Sequence, residues 1–332
     1  MERREFLERS LAGSVLIGSG VPQSQPAPRD PIPREPVAGG TAGTSYDMEV
    51  VVERRREGKP HAGKMLAAIQ PHCDDVAIFA GGTLLKLIDE GYRGILITLS
   101  DDSMAGTGSS IGDLVLKNEN DTREVAQRLG LEEAFFLNYP NHNMDGWSVL
   151  EMRARLIFLF RLMKIDTVLS YDPSSLYDRN PDHYVTARAV ESACWMARSD
   201  WDYPEHFKAG LTAHGPADKY YFARGPQLVN RVVDTTDFID AKVHANLANV
   251  TQGPSGTNGA RLKARLAAEG RRLAILGPDD DTANRAYTKE IALRRDRVQG
   301  MRHGLEYAEL FHYSPPDESY ADQYVAEHAV PL

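Results

Sequence analysis

Cysteine is scarce in this chain of 332 residues, and its scarcity excludes two kinds of stabilisation. Only Cys73 and Cys194 occur, and neither belongs to a C-x-x-C pair. They supply neither a disulfide framework nor a cysteine-based zinc cluster. An excess of positive charge is lacking too, since the formal net charge is −9. Binding to nucleic acid or to an anionic membrane through general basic charge is therefore not expected.

Two further absences narrow the choice of fold and function. Beyond the first 21 residues, no stretch approaches the roughly 20 apolar residues that a transmembrane helix needs. The turn after the first predicted strand lacks G-x-G-x-x-G, the glycine pattern that binds a dinucleotide pyrophosphate. Asp101 and Asp102 follow the second predicted strand as ribose-binding acids do, which keeps a nucleotide-binding oxidoreductase as an alternative. His72 and Asp75 in the first turn disfavour that alternative.

Residues 1–21 have the pattern of a twin-arginine export signal. Arg3-Arg4 precedes Phe6-Leu7, and an uncharged stretch rich in Gly, Ala, Ser and Leu runs to Val21. This pattern predicts export from a bacterial cytoplasm, in the folded state, to a periplasmic or extracytoplasmic location. The alternative is a frayed amphipathic N-terminus, because several glutamates offset the arginines.

The rest of the chain divides by composition into three parts. Residues 22–46 hold six prolines in a polar background and are expected to form a linker. The folded domain is predicted at 47–315, and a C-terminal tail at 316–332. The sequence predicts no oligomeric state.

Short apolar runs alternate with helical patterns through the first half of the domain. The predicted strands are 65–70, 94–100, 134–137 and 167–170, and the predicted helices are 82–90, 117–129, 148–163 and 181–197. This alternation predicts an α/β fold of the Rossmann-like kind, with a mostly parallel sheet and helices on both faces. If the sheet order is 3-2-1-4-5, strands 1 and 4 are neighbours, and the loops that follow them meet where ligands bind.

The second half of the domain carries weaker patterns. Residues 220–222 are a predicted strand, 251–259 a loop and 283–302 a helix. A basic helix is predicted at 260–275, and a solvated helix face explains its charge better than a binding patch does.

Residues typical of a metal site gather at the end of the first predicted strand, in Pro71-His72-Cys73-Asp74-Asp75. A second patch, Asn180-Pro181-Asp182-His183, follows the fourth predicted strand after a loop. A catalytic zinc has three protein ligands and an open position for water. We therefore predict a Zn²⁺ hydrolase site with His72, Asp75 and His183 as ligands and Asp74 as general base. The alternative role for the aspartates is to cap backbone N–H groups.

These motifs resemble those of the PIG-L or LmbE-like de-N-acetylases. That family has A-H-P-D-D-E followed by a Gly-Gly-Thr-Leu-like helix start, and H-x-D-H as a second motif. The matching segments here are Pro71-His72-Cys73-Asp74-Asp75, Ala80-Gly81-Gly82-Thr83-Leu84 and Pro181-Asp182-His183, with Leu129-Gly130, Phe136-Leu137-Asn138-Tyr139-Pro140 and Tyr307-Ala308-Glu309-Leu310-Phe311 in the family's order. The resemblance covers residues 62 to 314.

The resemblance implies a Rossmann-like fold, zinc held by His72, Asp75 and His183, and Asp74 as the base that activates water. It also implies hydrolysis of an N-acetyl group to acetate and a free amine. The substrate would be an amide on a small molecule or glycoconjugate, usually an amino sugar such as N-acetylglucosamine. A noncatalytic sugar-binding protein that kept the fold is the main alternative, although such a protein would not need Asp74.

Four positions depart from the family pattern. Cys73 replaces the usual proline and is expected to be a packed thiol, and Val76 replaces the usual glutamate. Asn180 stands where the family has a histidine that helps to stabilise the oxyanion. Asn180 is predicted either to donate an amide hydrogen bond there or to cap the helix that begins at Pro181. Asn141 replaces a common aspartate, so it is a candidate for substrate contacts.

Two other histidines lie near the motifs. His142 follows the third predicted strand and is a candidate replacement for the missing oxyanion histidine, and His312 lies beside the late family segment. The sequence alone assigns a role to neither.

Overall fold

The structure is a computed structural model that describes residues 49–316 and 320–331. The predicted export signal at 1–21 and the predicted linker at 22–46 lie outside these residues, so both stay predictions. None of the described helices is long and apolar enough to cross a membrane.

An eight-stranded sheet forms the centre of the described domain. In chain order the strands are β1 (Val51–Glu53), β2 (Met65–Gln70), β3 (Arg93–Ser100), β4 (Glu133–Tyr139), β5 (Thr167–Tyr171), β6 (Asp218–Phe222), β7 (Arg231–Asp234) and β8 (Ala308–Ser314). Their order across the sheet is β1-β7-β8-β6-β5-β2-β3-β4. The β8 strand runs antiparallel to β6 and β7, and the other neighbouring pairs are parallel. The predicted α/β class and the 3-2-1-4-5 order are both confirmed, with β2 as the first predicted strand.

Eleven α-helices occur in the described ranges. They are α1 (Asp75–Phe79), α2 (Gly81–Asp89), α3 (Ile111–Arg128), α4 (Val149–Met163), α5 (Pro181–Ala197), α6 (Pro204–Lys208), α7 (Ile239–Asn246), α8 (Asn258–Ala268), α9 (Asp280–Tyr287), α10 (Arg294–Arg302) and α11 (Tyr320–His328). The last of them lies within the segment predicted as a tail. The helix predicted at 260–275 ends early, because Gly270 takes a positive φ of 66° that stops it. The single helix predicted at 283–302 is instead α9, a π-helical turn at Thr288–Ala292, and α10.

The first predicted strand lies between two hydrophobic cores, which explains why it has no polar face. All six residues of β2 are buried. Leu66 and Ala68 point into the core that α2 and α3 cover, whereas Ala67 and Ile69 point into the core that α4 and α5 cover. An unbroken apolar run is therefore required here, as in other parallel sheets with helices on both faces.

The late family segment has a structural role that its position in the sequence does not reveal. Glu309 lies on β8, and its carboxylate accepts hydrogen bonds from the backbone N–H groups of Gly82 and Thr83, both at 2.8 Å. It thereby caps the first turn of α2 across more than 220 residues of chain. The buried Lys242 ammonium on α7 lies 2.6 Å from Glu309 and 2.5 Å from Asp296. This buried group of three charges joins α2, α7, α10 and β8.

Replacing Lys242 by Met is expected to lower the free energy of unfolding by about 3–5 kcal/mol, because it leaves two buried carboxylates without a cation. Urea unfolding followed by circular dichroism measures the change. Lys289→Met is the matched control, since Lys289 also pairs with an aspartate, but at a site where that aspartate is largely exposed. An equal and small loss in both variants would contradict the prediction.

Candidate metal centre

The fold brings the two sequence patches together at the carboxyl ends of neighbouring strands. β2 pairs with β5, so the loop that contains His72 and the loop that leads to His183 leave the sheet side by side. Asn180 caps α5, since its side-chain oxygen accepts from the backbone N–H of Asp182 at 3.0 Å, and Pro181 occupies the first helical position. The helix start therefore fixes His183 in its first turn.

His72, Asp75 and His183 form a compact group of ligand atoms. One atom from each residue lies within 4.8 Å of the other two, and all three residues are buried. The Nδ1 atom of His72 is 3.2 Å from Oδ2 of Asp75 and 3.2 Å from Nε2 of His183, which is itself 3.7 Å from Oδ1 of Asp75. Ligands about 2.1 Å from a tetrahedral metal are separated by roughly 3.4 Å, so the distances between these three residues are similar to those in such a site.

Two further carboxylates set the direction of the imidazole rings. Asp182 lies 3.1 Å from Nε2 of His72, and Asp178 lies 2.8 Å from Nδ1 of His183. When these outer nitrogens carry the protons, the inner nitrogens of both rings present lone pairs to the same point as Asp75. A metal cation at that point can accept the lone pairs of both rings and of the carboxylate. A proton can be shared by only some of these atoms. The donor set of two imidazoles and one carboxylate thus fits a divalent metal with an open position.

The third ligand is held by a buried phenol. Tyr171, at the end of β5, donates a hydrogen bond to Oδ1 of Asp75 at 2.6 Å. Burial raises the pKa of the Asp75 carboxyl, but the facing His183 and His72 outweigh it and lower the pKa to about 2. The carboxylate form that a metal needs is therefore favoured.

Asp74 lies beside the ligand group but is not one of its three residues. Its carboxylate is partly buried, and within residues 49–316 and 320–331 no other side chain donates a hydrogen bond to it. Burial and the charge of Asp75 raise the pKa of Asp74 to about 6. A carboxylate without a side-chain partner, next to three ligand atoms, is placed to accept a proton.

A loop from the second half of the domain covers Asp74. Gly253 has a φ of 90°, and a Cβ atom at this position would lie only 2.8 Å from Oδ2 of Asp74. Asp121 holds the loop from below by accepting hydrogen bonds from the N–H groups of Val250 and Thr251 at 2.9 and 2.7 Å. The role of Asp121, on α3, is therefore to hold the loop that covers Asp74.

Cys73 is a packed thiol, as its sequence context predicts. It is fully buried, and its Sγ atom lies 3.0 Å from Nε2 of Gln252 and 3.8 Å from Oδ1 of Asn118. Burial raises the pKa of the thiol well above its usual value. The thiol is therefore held in its protonated form and lies outside the ligand group.

The two asparagines proposed for substrate or oxyanion contacts lie in different environments. Asn180 borders an opening of about 550 Å³ that Asp178 and His142 also line, and its amide oxygen is used to cap α5. Asn141 is buried, accepts from the N–H of Met104, and donates to Asp182 at 3.2 Å. The structure gives Asn141 a positioning role behind His72, and its contact with substrate stays a prediction.

The sequence by itself gives no role to the residues that orient the ligands, Asp178, Asp182 and Tyr171. Asp182 lies inside the second motif, directly before the ligand His183, and this position is the sequence feature that indicates a role at the site. Tyr171 is the last residue of a buried strand, where a polar group points to the ligand edge of the sheet. Asp178 lies in an irregular loop, and no spacing rule connects it to His183.

Replacing Asp182 by Asn is expected to weaken metal binding by about 10–100-fold, because the amide no longer accepts the His72 proton with a full negative charge. Competition with a fluorescent zinc chelator measures the affinity. Asp202→Asn, in a loop beyond the far end of α5, is the control and should leave the affinity unchanged. Equal affinities in the wild type and Asp182→Asn would contradict the role given to this carboxylate.

Part of the chain is similar in sequence to a known family and to characterised proteins. Residues 67–194 match the sequence profile of the family described as "PIG-L: GlcNAc-PI de-N-acetylase". The chain is 27% identical over 195 residues to a diacetylchitobiose deacetylase of Thermococcus kodakarensis, a match that covers 58% of this chain and 71% of that protein.

Solved structures share the fold. The N,N'-diacetylchitobiose deacetylase of Pyrococcus horikoshii superposes with a TM-score of 0.60 at 23% identity, over 81% of this chain and 87% of that one. A 4-carboxy-2-hydroxymuconate hydratase of Pseudomonas putida superposes with a TM-score of 0.55 at 17% identity, over 77% and 98% of the two chains. Because a hydratase has this fold too, the fold alone does not determine the reaction. The sequence profile and the matched motifs are more specific than the fold, and the profile match over residues 67–194 confirms the resemblance to the PIG-L family.

Proposed function

We propose that this protein is a zinc-dependent N-deacetylase that hydrolyses the N-acetyl group of an amino sugar or glycoconjugate. The observation that carries the proposal is the group of His72, Asp75 and His183, whose free lone pairs converge beside the unpartnered carboxylate of Asp74. A sugar-binding protein without catalysis has no use for that carboxylate. The PIG-L profile and the relative that deacetylates diacetylchitobiose support an N-acetylated amino sugar as the substrate class.

The donor set of two imidazoles and one carboxylate matches catalytic zinc sites, which is why zinc is proposed among the divalent metals. When bound, the metal supplies Lewis-acid chemistry, which polarises the acyl oxygen and makes water more acidic. The remaining steps belong to the protein's own side chains.

Asp74 is proposed to accept a proton as the oxygen of water bonds to the acyl carbon. The carbonyl electron pair moves onto the acyl oxygen. The electron pair on the acyl oxygen then re-forms the carbonyl as the carbon–nitrogen bond breaks. The amine nitrogen takes up the proton that Asp74 accepted, and the products are acetate and a free amine. Asp182 and Asp178 accept hydrogen bonds from the outer N–H groups of His72 and His183, which orients the inner nitrogens of both rings toward the ligand group.

The test is the release of acetate and primary amine from a panel of N-acetylated amino sugars, including diacetylchitobiose. We expect both products in equal amounts from at least one member of the panel. Zinc-loaded protein that binds these sugars and releases neither product would favour the noncatalytic alternative.

Export is proposed on the sequence pattern of residues 1–21 alone. Fractionation of a bacterial host that produces the full chain should place it outside the cytoplasm. Replacement of Arg3 and Arg4 by lysines should retain it inside.

A further inference from the structure

The opening that Asn180 borders is also lined by a histidine to which the proposed mechanism gives no role. His142 borders this opening of about 550 Å³, together with Asn180, Asp178 and two arginines. Its side chain is exposed, and its ring centroid lies 6.1 Å from that of His72, at an edge-on angle of 71°. Among the side chains that border the opening, His142 is the one whose ring contacts a ligand residue, His72.

The backbone holds His142 in place at some cost. Its φ of 59° lies in the left-handed region, which few residues other than glycine adopt. Its N–H group donates to Oδ2 of Asp182 at 2.7 Å, and the same oxygen lies 3.1 Å from Nε2 of His72. One carboxylate therefore fixes both the ligand ring and the position of His142. Strained residues of this kind tend to occur at functional sites.

The ring of His142 remains available to a substrate. No residue in the described parts of the chain forms a hydrogen bond with its ring nitrogens, whereas both rings of the ligand histidines are fully engaged. The amide oxygen of Asn180 caps α5, so its N–H₂ group is the part of the side chain that is left to donate. His312, the other unassigned histidine, borders a separate groove beside Trp195 and Tyr221 and lies 3.5 Å from Asp172.

Building on the proposed deacetylase function, we propose that His142 donates a ring N–H hydrogen bond to the acyl oxygen as this oxygen becomes negative. The water oxygen forms its bond to the acyl carbon, the carbonyl π electrons move to the oxygen, and the N–H of His142 stabilises that charge. The donor thus comes from the loop after β4, whereas Asn180 at the start of α5 serves as a cap. A histidine in place of Asn180 would reach the same opening.

The test compares His142→Asn, His312→Asn and the double variant His142→Asn with Asn180→His. Asparagine tolerates the left-handed backbone and keeps the N–H bond to Asp182, so the change removes the imidazole and little else. We expect His142→Asn to lower kcat by about 100-fold, as the loss of one oxyanion donor does, with KM within threefold and the metal content unchanged. The double variant should recover at least tenfold in kcat, and His312→Asn should match the wild type.

Two sets of results separate the inference from the function on which it rests. A wild-type protein that turns over no member of the amino-sugar panel refutes the proposed function and this inference with it. If the wild type is active, two results for His142→Asn refute the role of His142 alone: a kcat within threefold of the wild type, or a loss of kcat that parallels loss of metal. A double variant that keeps a full equivalent of metal and is no faster than His142→Asn refutes this role as well.

Discussion

The Asp74→Asn variant is expected to bind metal as the wild type does and to lose about 10²–10⁴-fold in kcat. Asparagine keeps the size of the side chain but cannot take up a proton from water. The three ligand atoms belong to other residues, so their geometry should survive. Acetate release measured beside the metal content of the same preparation tests both halves of the expectation.

This substitution also separates the enzyme from a noncatalytic sugar-binding protein. In a binding protein, Asp74→Asn should alter ligand affinity little, and there would be no turnover to lose. Asp202→Asn, in a loop beyond the far end of α5, is the control and should keep the wild-type kcat. A variant at Asp74 that keeps more than a tenth of the wild-type kcat would exclude Asp74 as the base.

The His183→Ala variant is expected to lose both the metal and the activity. Removing one of three protein ligands leaves two, and the carboxylate of Asp178 then lacks its imidazole partner. We expect less than one tenth of an equivalent of zinc after dialysis against buffer, compared with one equivalent for the wild type, and no measurable acetate release. Elemental analysis of the dialysed protein gives the answer directly.

Cys73→Ala is the matched control for the ligand substitution. Cys73 is adjacent to the ligand His72 in the chain and is a soft donor, but its thiol points to Gln252 and Asn118. This variant should keep a full equivalent of zinc. Loss of metal from Cys73→Ala together with retention by His183→Ala would require a different ligand set.

The central part of the fold is predictable from sequence because it obeys a simple pattern. The apolar runs of β2, β3 and β5 are long enough to identify a buried parallel sheet, and helical patterns separate them. Right-handed crossovers then restrict the strand order, and the switch point between β2 and β5 follows from that order. The observed sheet has this arrangement.

The edge of the sheet could not be predicted in the same way. β1 and β7 have three and four residues, which is too short for a periodic pattern, and they pair with each other across about 180 residues of chain. The sequence identifies β8 only as a segment that resembles the family. Its Glu309 caps the start of α2, and that contact exists only in the folded chain.

The candidate site shows the same division. The side chains of His72, Asp75 and His183 were predictable, because strand ends and the chemistry of the ligands point to them. The outer carboxylates Asp178 and Asp182 make contacts that depend on the path of a loop and on the tilt of two rings. Gly253 lies against Asp74 although the two are 179 residues apart in the chain, and no local sequence pattern predicts that contact.

The measurement that tests the account most directly is acetate release from diacetylchitobiose and other N-acetylated amino sugars by a single preparation in three states. These are protein as loaded with zinc, after removal of metal by a chelator, and after one equivalent of zinc is returned. We expect turnover by the zinc-loaded protein, none after the metal is removed, and recovery after zinc is returned, in proportion to the bound zinc. Acetate release that is unaffected by complete removal of the metal would contradict it.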